Sequence, residues 1–415
     1  MNRVEDNDSK ELKIVKINFF SLSVLQALNM FLPFLILPYL VRILGIEQFG
    51  LLSFSQSFMM YFILILDYGF NITATREIST NKEDKIHVSK VFFSVYYIKS
   101  ILLLIVSIVF SVLIFNVFLF EQHKYLYIIS YLIVLGQMLF PIWYFQGIEN
   151  MKMIAFLNVL IKLISTIGIF IFVNTANDLL IVASINSFSF FLVGVLAFSI
   201  ALKKVNFIKV DYKFIKVFFF ESTQVFISNF FSSLYAITNV FLLGIFTNNT
   251  LVGIYSSFEK IITAFKSLYI PFYQALFPYV ARKKNKKKFI IKLFIPVLIS
   301  GLFISINCYY FSDFIIKLIY SNIRLLENII YFKVMSIIPF LASINMLINF
   351  LYLNSMKLYK ERMKIMFGAG IINLSVGIIL LILNLEIQAV VISYVITELF
   401  LLISSIVIFR YKINE

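Results

Sequence analysis

Ionisable side chains inside long apolar segments are the residues of this sequence most able to do chemistry. The basic members of this set are Lys99, Lys162, Lys260 and Lys266, and the acidic members are Asp67, Glu221, Glu259 and Glu398. A charge at membrane depth is costly, so such groups usually face a cavity or a pathway. Lysines there would attract an anion. A phosphate or pyrophosphate fits well, because lysine supplies a point charge to it.

The spacing of these residues places them on single faces of helices. One stripe is made by Tyr255, Glu259, Lys266, Tyr269 and Tyr273, with Lys260 beside it. At about 100° per residue, positions separated by three, four or seven residues fall on one side of a helix. Polar stripes in three other segments contain Asn29, Gln56 with Asp67, and Glu221 with Gln224. Tyrosines on such a face could pack against sugar rings.

Each of these residues also has a purely structural interpretation. Lys99 and Lys162 could extend to a membrane interface, and Asp67 could pair with an arginine further along the chain. Serine and asparagine side chains on membrane helices often only join neighbouring helices. Glu259 and Lys266 are harder to explain in this way, because both lie near the middle of their apolar segment.

The elements that would position these residues are membrane-spanning helices. Hydrophobic residues make up 61% of the chain and charged residues 14%, whereas a soluble domain carries about 25% charged residues. A spanning helix needs about 20 mostly apolar residues, and the sequence predicts twelve such spans, at 17–40, 49–74, 91–117, 125–145, 153–173, 179–202, 214–246, 250–280, 289–311, 328–354, 363–384 and 387–409. The runs do not alternate in polarity, which argues against a membrane barrel. Pro271 and Pro278 can loosen the eighth span.

The distribution of basic residues predicts the orientation of these spans. If both termini are cytoplasmic, the cytoplasmic segments carry 27 Lys and Arg residues and the outer loops carry four. This asymmetry satisfies the positive-inside rule. The formal net charge of +15 is then explained by topology and by contact with anionic headgroups, and no nucleic-acid partner is expected.

A faint internal repeat predicts two similar halves. At an offset of 203 residues, Gly50 aligns with Gly253 and Gln56 aligns with Glu259. The predicted organisation is a cytoplasmic tail at 1–16, a six-helix bundle at 17–202, a linker at 203–213, a second six-helix bundle at 214–409 and a tail at 410–415. Halves of like orientation are common in transporters, which bind substrate at the interface of the repeats. We therefore expect an all-α membrane protein with two bundles around a central cavity.

Several classes of chemistry have no support in this sequence. It contains one cysteine, Cys308, which excludes a disulfide within the chain and a thiolate metal cage. Its two histidines argue against a metal site built on histidine. P-loop, GxSxG and HExxH patterns are absent. We therefore predict neither an enzyme nor a cofactor.

Two sequence blocks resemble a known family. The first, LPYLVRILGIEQFGLLSFSQSFMMYFILILDYGFNITATREIS, starts at Leu37, and the second, WYFQGIENMKMIAFLNVLIKL, starts at Trp143. Both are similar to blocks of the Wzx O-antigen flippase family. The residues that carry the resemblance are Arg42, Gly45, Gly50, Asp67, Gly69, Arg76 and Glu77 in the first block, and Gln146, Gly147, Glu149, Met151 and Lys162 in the second.

This resemblance implies a member of the multidrug/oligosaccharidyl-lipid/polysaccharide exporter superfamily, in the cell inner membrane. Such a protein would move an undecaprenyl-pyrophosphate-linked oligosaccharide to the outer leaflet by alternating access, with H⁺ or Na⁺ as a coupling ion. Under this interpretation Arg42 joins the four lysines as a cavity cation. The resemblance also implies a polysaccharide polymerase and a chain-length regulator as partners.

Three other functions remain open from the sequence. A multidrug or cation exporter of the same fold would favour acidic over basic groups in its cavity. A peptidoglycan-precursor flippase often has fourteen helices, whereas this chain has room for twelve. A membrane polymerase or glycosyltransferase usually carries a large outer loop, and the longest outer segment here covers only about 312–328.

Overall fold

A computed structural model of the chain describes residues 2–282 and 286–414. Within these residues, side chains are described mainly from residue 35 onward. All regular elements of this part of the chain are helical: α1 (Asn2–Asp67), α2 (Phe70–Thr80), α3 (Lys85–Asn116), α4 (Phe118–Glu121), α5 (Lys124–Leu139), α6 (Ile142–Gly147), α7 (Met151–Phe172), α8 (Leu179–Leu202), α9 (Tyr212–Phe246), α10 (Asn249–Ser267), α11 (Tyr269–Arg282), α12 (Lys286–Tyr310), α13 (Ser312–Ile319), α14 (Ile323–Glu327), α15 (Ile329–Met335), α16 (Ile338–Met346), a π-helical segment (Leu347–Tyr352), α17 (Leu353–Ser355), α18 (Tyr359–Ile382) and α19 (Glu386–Asn414).

The predicted all-α, multi-pass architecture is confirmed. Among the described residues, nine helical segments are long and apolar enough to cross a membrane, and a tenth is counted when the bent helix α9 is included. These ten correspond to ten of the twelve predicted spans. Of the other two, the span at 17–40 lies in the first part of α1, and α1 consists of two helices joined at the non-helical Gly45 (φ 76°). Most side chains of this span lie outside the described residues. The span at 250–280 consists of two helices, α10 and α11.

Two breaks differ from the predicted continuous spans. The span at 49–74 is interrupted at Tyr68 and Gly69, which adopt φ values of 44° and 78°. Glycine tolerates this left-handed backbone without a steric penalty, so it suits the turn between α1 and α2. The span at 250–280 is interrupted at Leu268. Pro271 explains the second break, because it removes the hydrogen bond to residue 267 and its ring crowds that carbonyl.

The predicted span at 328–354 is also irregular. It comprises α15, α16, the π-helical segment and α17. Within it, the Asn349 amide donates to Asn345 Oδ1 and to Ser405 Oγ of α19, and all three side chains are buried. Asparagine and serine groups of this kind join helices where no water is present to satisfy them.

The helices cluster into two compact units. The first unit comprises Met1–Tyr39 and Ile65–Val225, and the second comprises Leu40–Leu64 and Phe226–Glu415. The chain therefore passes between the units within α1 as well as within α9. The predicted division into bundles at 17–202 and 214–409 remains a prediction.

Aromatic side chains form much of the core of the first unit. The ring of Phe92 in α3 lies 5.6 Å from that of Trp143, 5.4 Å from Tyr144 and 6.1 Å from Phe198. These contacts join α3 to α6 and α8. Tilted and edge-on aromatic pairs add to the packing energy of the apolar surface that they bury.

In the second unit, the later part of α1 packs closely against α10. A Cβ atom on Gly50 would lie 2.6 Å from the backbone nitrogen of Gly253, and one on Gly253 would lie 2.8 Å from the Ile46 side chain. The two glycines are the pair that the internal repeat aligns. Small residues allow membrane helices to approach this closely, so the aligned glycines share a packing role.

Candidate substrate and coupling site

A buried ion pair joins α10 to α19 in the second unit. Lys266 Nζ donates to Glu398 Oε1, and the Glu398 side chain is fully buried. The same ammonium donates to Tyr235 OH at 3.3 Å and lies 5.6 Å from the ring centroid of Tyr394. Two tyrosines and one carboxylate therefore surround the lysine that the sequence places at the middle of its span.

Glu259 lies about two turns before Lys266 on α10, within a second polar group. Tyr255 OH donates to Glu259 Oε1 at 3.4 Å and accepts from Asn239 Nδ2 at 3.0 Å. Lys260 is the next residue and interacts electrostatically with Glu259. Its ammonium lies 4.6 Å from the ring centroid of Phe49, within cation–π range.

A third charged pair lies in the first unit. Lys99 of α3 is 3% exposed and interacts electrostatically with Asp67 at the end of α1. Asp67 Oδ1 also accepts a hydrogen bond from Asn71 Nδ2 at 2.6 Å. The turn at Tyr68 and Gly69 lies between Asp67 and Asn71. It therefore positions the Asn71 amide to donate to the Asp67 carboxylate.

Three of the four predicted lysines therefore lie beside a predicted acid. The pairs are Lys99 with Asp67, Lys260 with Glu259, and Lys266 with Glu398. Burying a lone charge costs several kcal/mol, and a nearby opposite charge offsets part of that cost. Within each of these pairs, the neighbouring carboxylate thus compensates the positive charge of the lysine.

Arg42 binds backbone rather than joining the lysines. Its guanidinium donates to the carbonyl oxygens of Leu318 at 3.2 Å, Ile319 at 3.0 Å and Tyr320 at 3.3 Å. These carbonyls belong to the C-terminal end of α13, where the helix has no partners of its own for them. A cation at this end is also favoured by the helix dipole. In this structure Arg42 acts as a C-terminal cap.

We predict that Arg42→Ala lowers the stability of the purified protein by about 1 kcal/mol, the scale of a charge at a helix end. Arg42→Lys keeps the charge but not the forked geometry and should recover part of that loss. Thermal unfolding in detergent measures both. If Arg42→Ala unfolded at the wild-type temperature and yet abolished transport, a cavity role for Arg42 would replace the capping role.

Tyr269 and Tyr273 lie in an apolar core on α11. Tyr273 OH donates to the Ser343 carbonyl at 2.7 Å, and Tyr269 OH shares a hydrogen bond of 3.2 Å with Ser300 Oγ. Both rings belong to a buried cluster with Leu347 and its neighbours. The predicted stripe that joins them to Tyr255 and Lys266 crosses from α10 to α11 at Leu268, whose backbone keeps right-handed helical dihedral angles. A single continuous face remains a prediction.

The remaining predicted site residues occupy different environments. Glu221 and Gln224 are exposed on α9, and Lys162 and Gln56 are half-buried on α7 and α1. The Asn29 side chain lies outside the described residues. Their roles in the site remain predictions.

The structure adds polar residues that the sequence analysis did not select. Tyr235 and Tyr394 contact Lys266. One turn from Glu398, the Asn373 amide donates to Ser393 Oγ at 3.1 Å and to Thr397 Oγ1 at 3.2 Å. A signal was available, because Ser393 and Thr397 are separated by four residues and therefore share a helix face.

The residues of the two family-like blocks meet in the first unit, where α2 packs on α6. Thr75 Oγ1 donates to Gln146 Oε1 at 3.4 Å, and Glu77 Oε1 lies 2.9 Å from His87 Nε2. Arg76 is exposed. Lys82 donates to Glu149 at 2.7 Å, and this hydrogen bond holds the pKa of the Glu149 carboxyl below its usual value.

Sequence comparison decides the family. A family model described as "Polysaccharide biosynthesis protein" matches residues 15–284, which is more than half of the chain. The chain belongs to this family. A protein of Escherichia coli K12 named "Putative O-antigen transporter" is 31% identical over 266 residues, and one of the same name from Shigella dysenteriae is 28% identical over 272 residues. The first match spans 64% of this chain and 64% of that protein.

Solved structures show the fold of this chain. The lipid II flippase MurJ in an inward closed conformation has a TM-score of 0.72 at 15% identity, and the match covers 92% of this chain and 87% of MurJ. An inward-facing multidrug resistance MATE family transporter of the MOP superfamily has a TM-score of 0.65 at 14% identity, covering 95% and 98%. The chain has the fold of these transporters, and its resemblance to the Wzx-type flippases is confirmed.

One glycine of the family-like blocks has a clear packing role. A Cβ atom on Gly147 would lie 2.6 Å from Cβ and from Cγ2 of Ile78. The root of a branched side chain on a helix cannot move aside easily, and overpacking of this kind costs about 1–3 kcal/mol.

We therefore predict that Gly147→Ala lowers the unfolding temperature of the purified protein and its level in the membrane. Gly368→Ala is a matched control, because its added methyl would meet only the end of the Phe400 ring, at 2.8 Å, and a ring end can shift. Equal stability of the two variants would contradict a close contact between α6 and α2.

No group of three or more His, Cys, Asp or Glu side chains within the described part of the chain is arranged to hold a metal ion.

Proposed function

We propose that this protein is a flippase, and not an enzyme, that moves undecaprenyl-pyrophosphate-linked oligosaccharide repeat units from the cytoplasmic to the outer leaflet by alternating access. The family and the O-antigen transporters that the chain resembles support the substrate class. The observation that carries the proposal is the set of lysines at membrane depth, each held beside a carboxylate.

These pairs suggest how a phosphate-bearing substrate could be bound and released. In the pair of Lys266 and Glu398, the carboxylate occupies the position that a substrate phosphate would take. Among the described residues, Glu398 Oε2 accepts no hydrogen bond, so the pair does not satisfy this carboxylate fully. A pyrophosphate that binds Lys266 would have to displace Glu398, which keeps the lysine neutralised between transport cycles.

Displacing the Glu398 carboxylate from Lys266 requires that a cation neutralise this carboxylate. A fully buried carboxylate that loses its cationic partner is unstable by several kcal/mol, and uptake of H⁺ or Na⁺ would relieve that cost. We propose that substrate binding at Lys266 is coupled in this way to cation uptake at Glu398, with Glu259 as a second carboxylate on α10. The ion gradient would then drive the cycle.

A deletion strain tests the proposed function. Cells that lack the gene should lose surface polysaccharide and accumulate lipid-linked repeat units on the inner face of the membrane. Expression of this chain should reverse both effects. Accumulation on the outer face, or unchanged surface polysaccharide, would overturn the proposal.

The same strain separates the related functions. The chain shares its fold with a multidrug resistance transporter. The charged pairs also contain as many carboxylates as lysines. Loss of resistance to cationic compounds in the deletion strain, with normal polysaccharide, would favour a multidrug exporter. Rescue of a strain depleted of its lipid II flippase would favour a peptidoglycan-precursor substrate.

We also propose the orientation and the partners. We propose that the protein lies in the inner membrane. Both of its termini would face the cytoplasm, because the predicted cytoplasmic segments carry most of the basic residues. Reporter fusions at each predicted loop test this orientation. Co-purification with the polysaccharide polymerase and with the chain-length regulator tests the proposed partners.

A further inference from the structure

An open groove runs between α3 and the start of α9 in the first unit. One part has a volume of about 380 Å³ and is lined by residues of both helices, among them Ile101, Ile105, Lys216 and Phe220. A second part of about 460 Å³ shares Tyr97 with the first. The two parts form one continuous groove, which none of the charged pairs described above lines.

The groove wall is apolar and exposed. Ile101 is 45% exposed, Ile105 is 53% exposed and Phe220 is 60% exposed. In a membrane protein such surfaces face lipid, so the groove opens sideways into the bilayer. Each part falls within the range of about 300–1,000 Å³ that is typical of sites for small ligands.

One charged residue lies in this apolar setting. Lys216 lines the groove and is exposed. Among the described residues, the ion pairs do not include Lys216. The segment 203–216 that leads to it contains five lysines and one aspartate. An unpaired ammonium beside an apolar groove, in a basic segment, is complementary to a phosphate attached to a hydrocarbon chain.

The length of the groove distinguishes between the hydrocarbon chains of candidate lipids. Residues 93–105 of α3 line it, which corresponds to roughly 18 Å at about 1.5 Å per residue. One leaflet of the hydrocarbon core is about 15 Å thick, so the groove matches one acyl chain of a phospholipid. A polyprenyl chain of eleven isoprene units would extend well beyond it.

We propose that this groove binds one acyl chain of an anionic phospholipid, with its phosphate on Lys216, in the leaflet that faces the lysine-rich segment 203–216. The bound lipid joins α3 to α9. Phe219, in the groove wall, stacks on Tyr68 at 4.9 Å, and Tyr68 follows Asp67. The lipid therefore supports the turn that holds the Asp67 carboxylate near Lys99.

The test uses purified full-length protein in nanodiscs of phosphatidylcholine with a minor fraction of phosphatidylglycerol. Retained lipids are measured by native mass spectrometry. We expect wild-type protein to retain phosphatidylglycerol preferentially, and Lys216→Gln to lower that preference about fivefold, which corresponds to about 1 kcal/mol for one lysine at an anionic surface. Lys204→Gln removes a charge from the same segment outside the groove and should retain the preference.

Two further measurements keep the proposal falsifiable. Ile101→Trp fills the groove and should reduce lipid retention whatever the headgroup. Equal loss in Lys216→Gln and Lys204→Gln, or equal retention of phosphatidylcholine and phosphatidylglycerol, would overturn the proposal. Displacement of phosphatidylglycerol by an equimolar amount of undecaprenyl phosphate would also overturn it and would assign the groove to the carrier chain. None of these outcomes depends on whether the deletion strain loses its polysaccharide.

Discussion

Replacing Lys266 with methionine is expected to abolish polysaccharide display and also to lower the stability of the protein. The substitution leaves Glu398 buried without its cationic partner. Removing one member of a buried ion pair costs about 3–5 kcal/mol. Thermal unfolding in detergent, together with surface polysaccharide in the complemented deletion strain, measures the two effects separately.

The double variant Lys266→Met/Glu398→Gln separates stability from function. It removes both charges with little change in side-chain volume, so its stability should return to within about 1 kcal/mol of wild type. Transport should remain absent, because the anion-binding lysine is missing. Recovery of transport in the double variant would show that the pair only stabilises the fold.

Removing Asp67 and removing Lys99, the charged pair of the first unit, are expected to lower the stability of the protein by different amounts. Asp67→Asn leaves Lys99 charged at 3% exposure and without its carboxylate. Lys99→Met leaves Asp67, which is less buried and still accepts the hydrogen bond from Asn71. We therefore predict that Asp67→Asn lowers the unfolding temperature more than Lys99→Met does.

The effect of Lys99→Met on transport should be larger than its effect on stability. Lys99→Met removes a predicted ligand of the substrate phosphate and should reduce polysaccharide display at least tenfold, which corresponds to about 1.4 kcal/mol or more. Lys90→Met on the same helix is the control, because Lys90 is exposed near the start of α3. If Lys90→Met and Lys99→Met reduced display equally, the buried position of Lys99 would have no special role.

The membrane architecture and the ionisable residues could be predicted from the sequence because both depend on local composition. Hydropathy over about 20 residues marks a span, and any charge within that window marks a candidate residue. Lys99, Lys266 and Glu398 were selected on this basis, and all three are buried or nearly so.

The pairing of these charges could not be predicted, because it depends on packing between distant helices. The sequence places Glu259 and Lys266 on one stripe, yet Lys266 binds Glu398, which lies 132 positions away. Tyr273 also lies in a buried core, where its hydroxyl donates to the carbonyl of Ser343, 70 positions away. Proline signals a break but not its direction.

The contact of Arg42 with a distant helix end also could not be predicted from the sequence. Its position in the family-like block favoured a functional cation, whereas the structure places its guanidinium on the carbonyls of α13, some 276 residues later in the chain. A single charged residue between two predicted spans gives no sequence signal that separates a helix cap from a ligand-binding group.

Translocation by purified protein tests the central proposal most directly. Proteoliposomes would contain a fluorescent, pyrophosphate-linked polyprenyl glycolipid, and a membrane-impermeant quencher would report its movement between leaflets. We predict rapid movement with wild-type protein and at least a tenfold slower rate with Lys266→Met/Glu398→Gln. A wild-type rate in that folded double variant would contradict a role for Lys266 in carrying the phosphate.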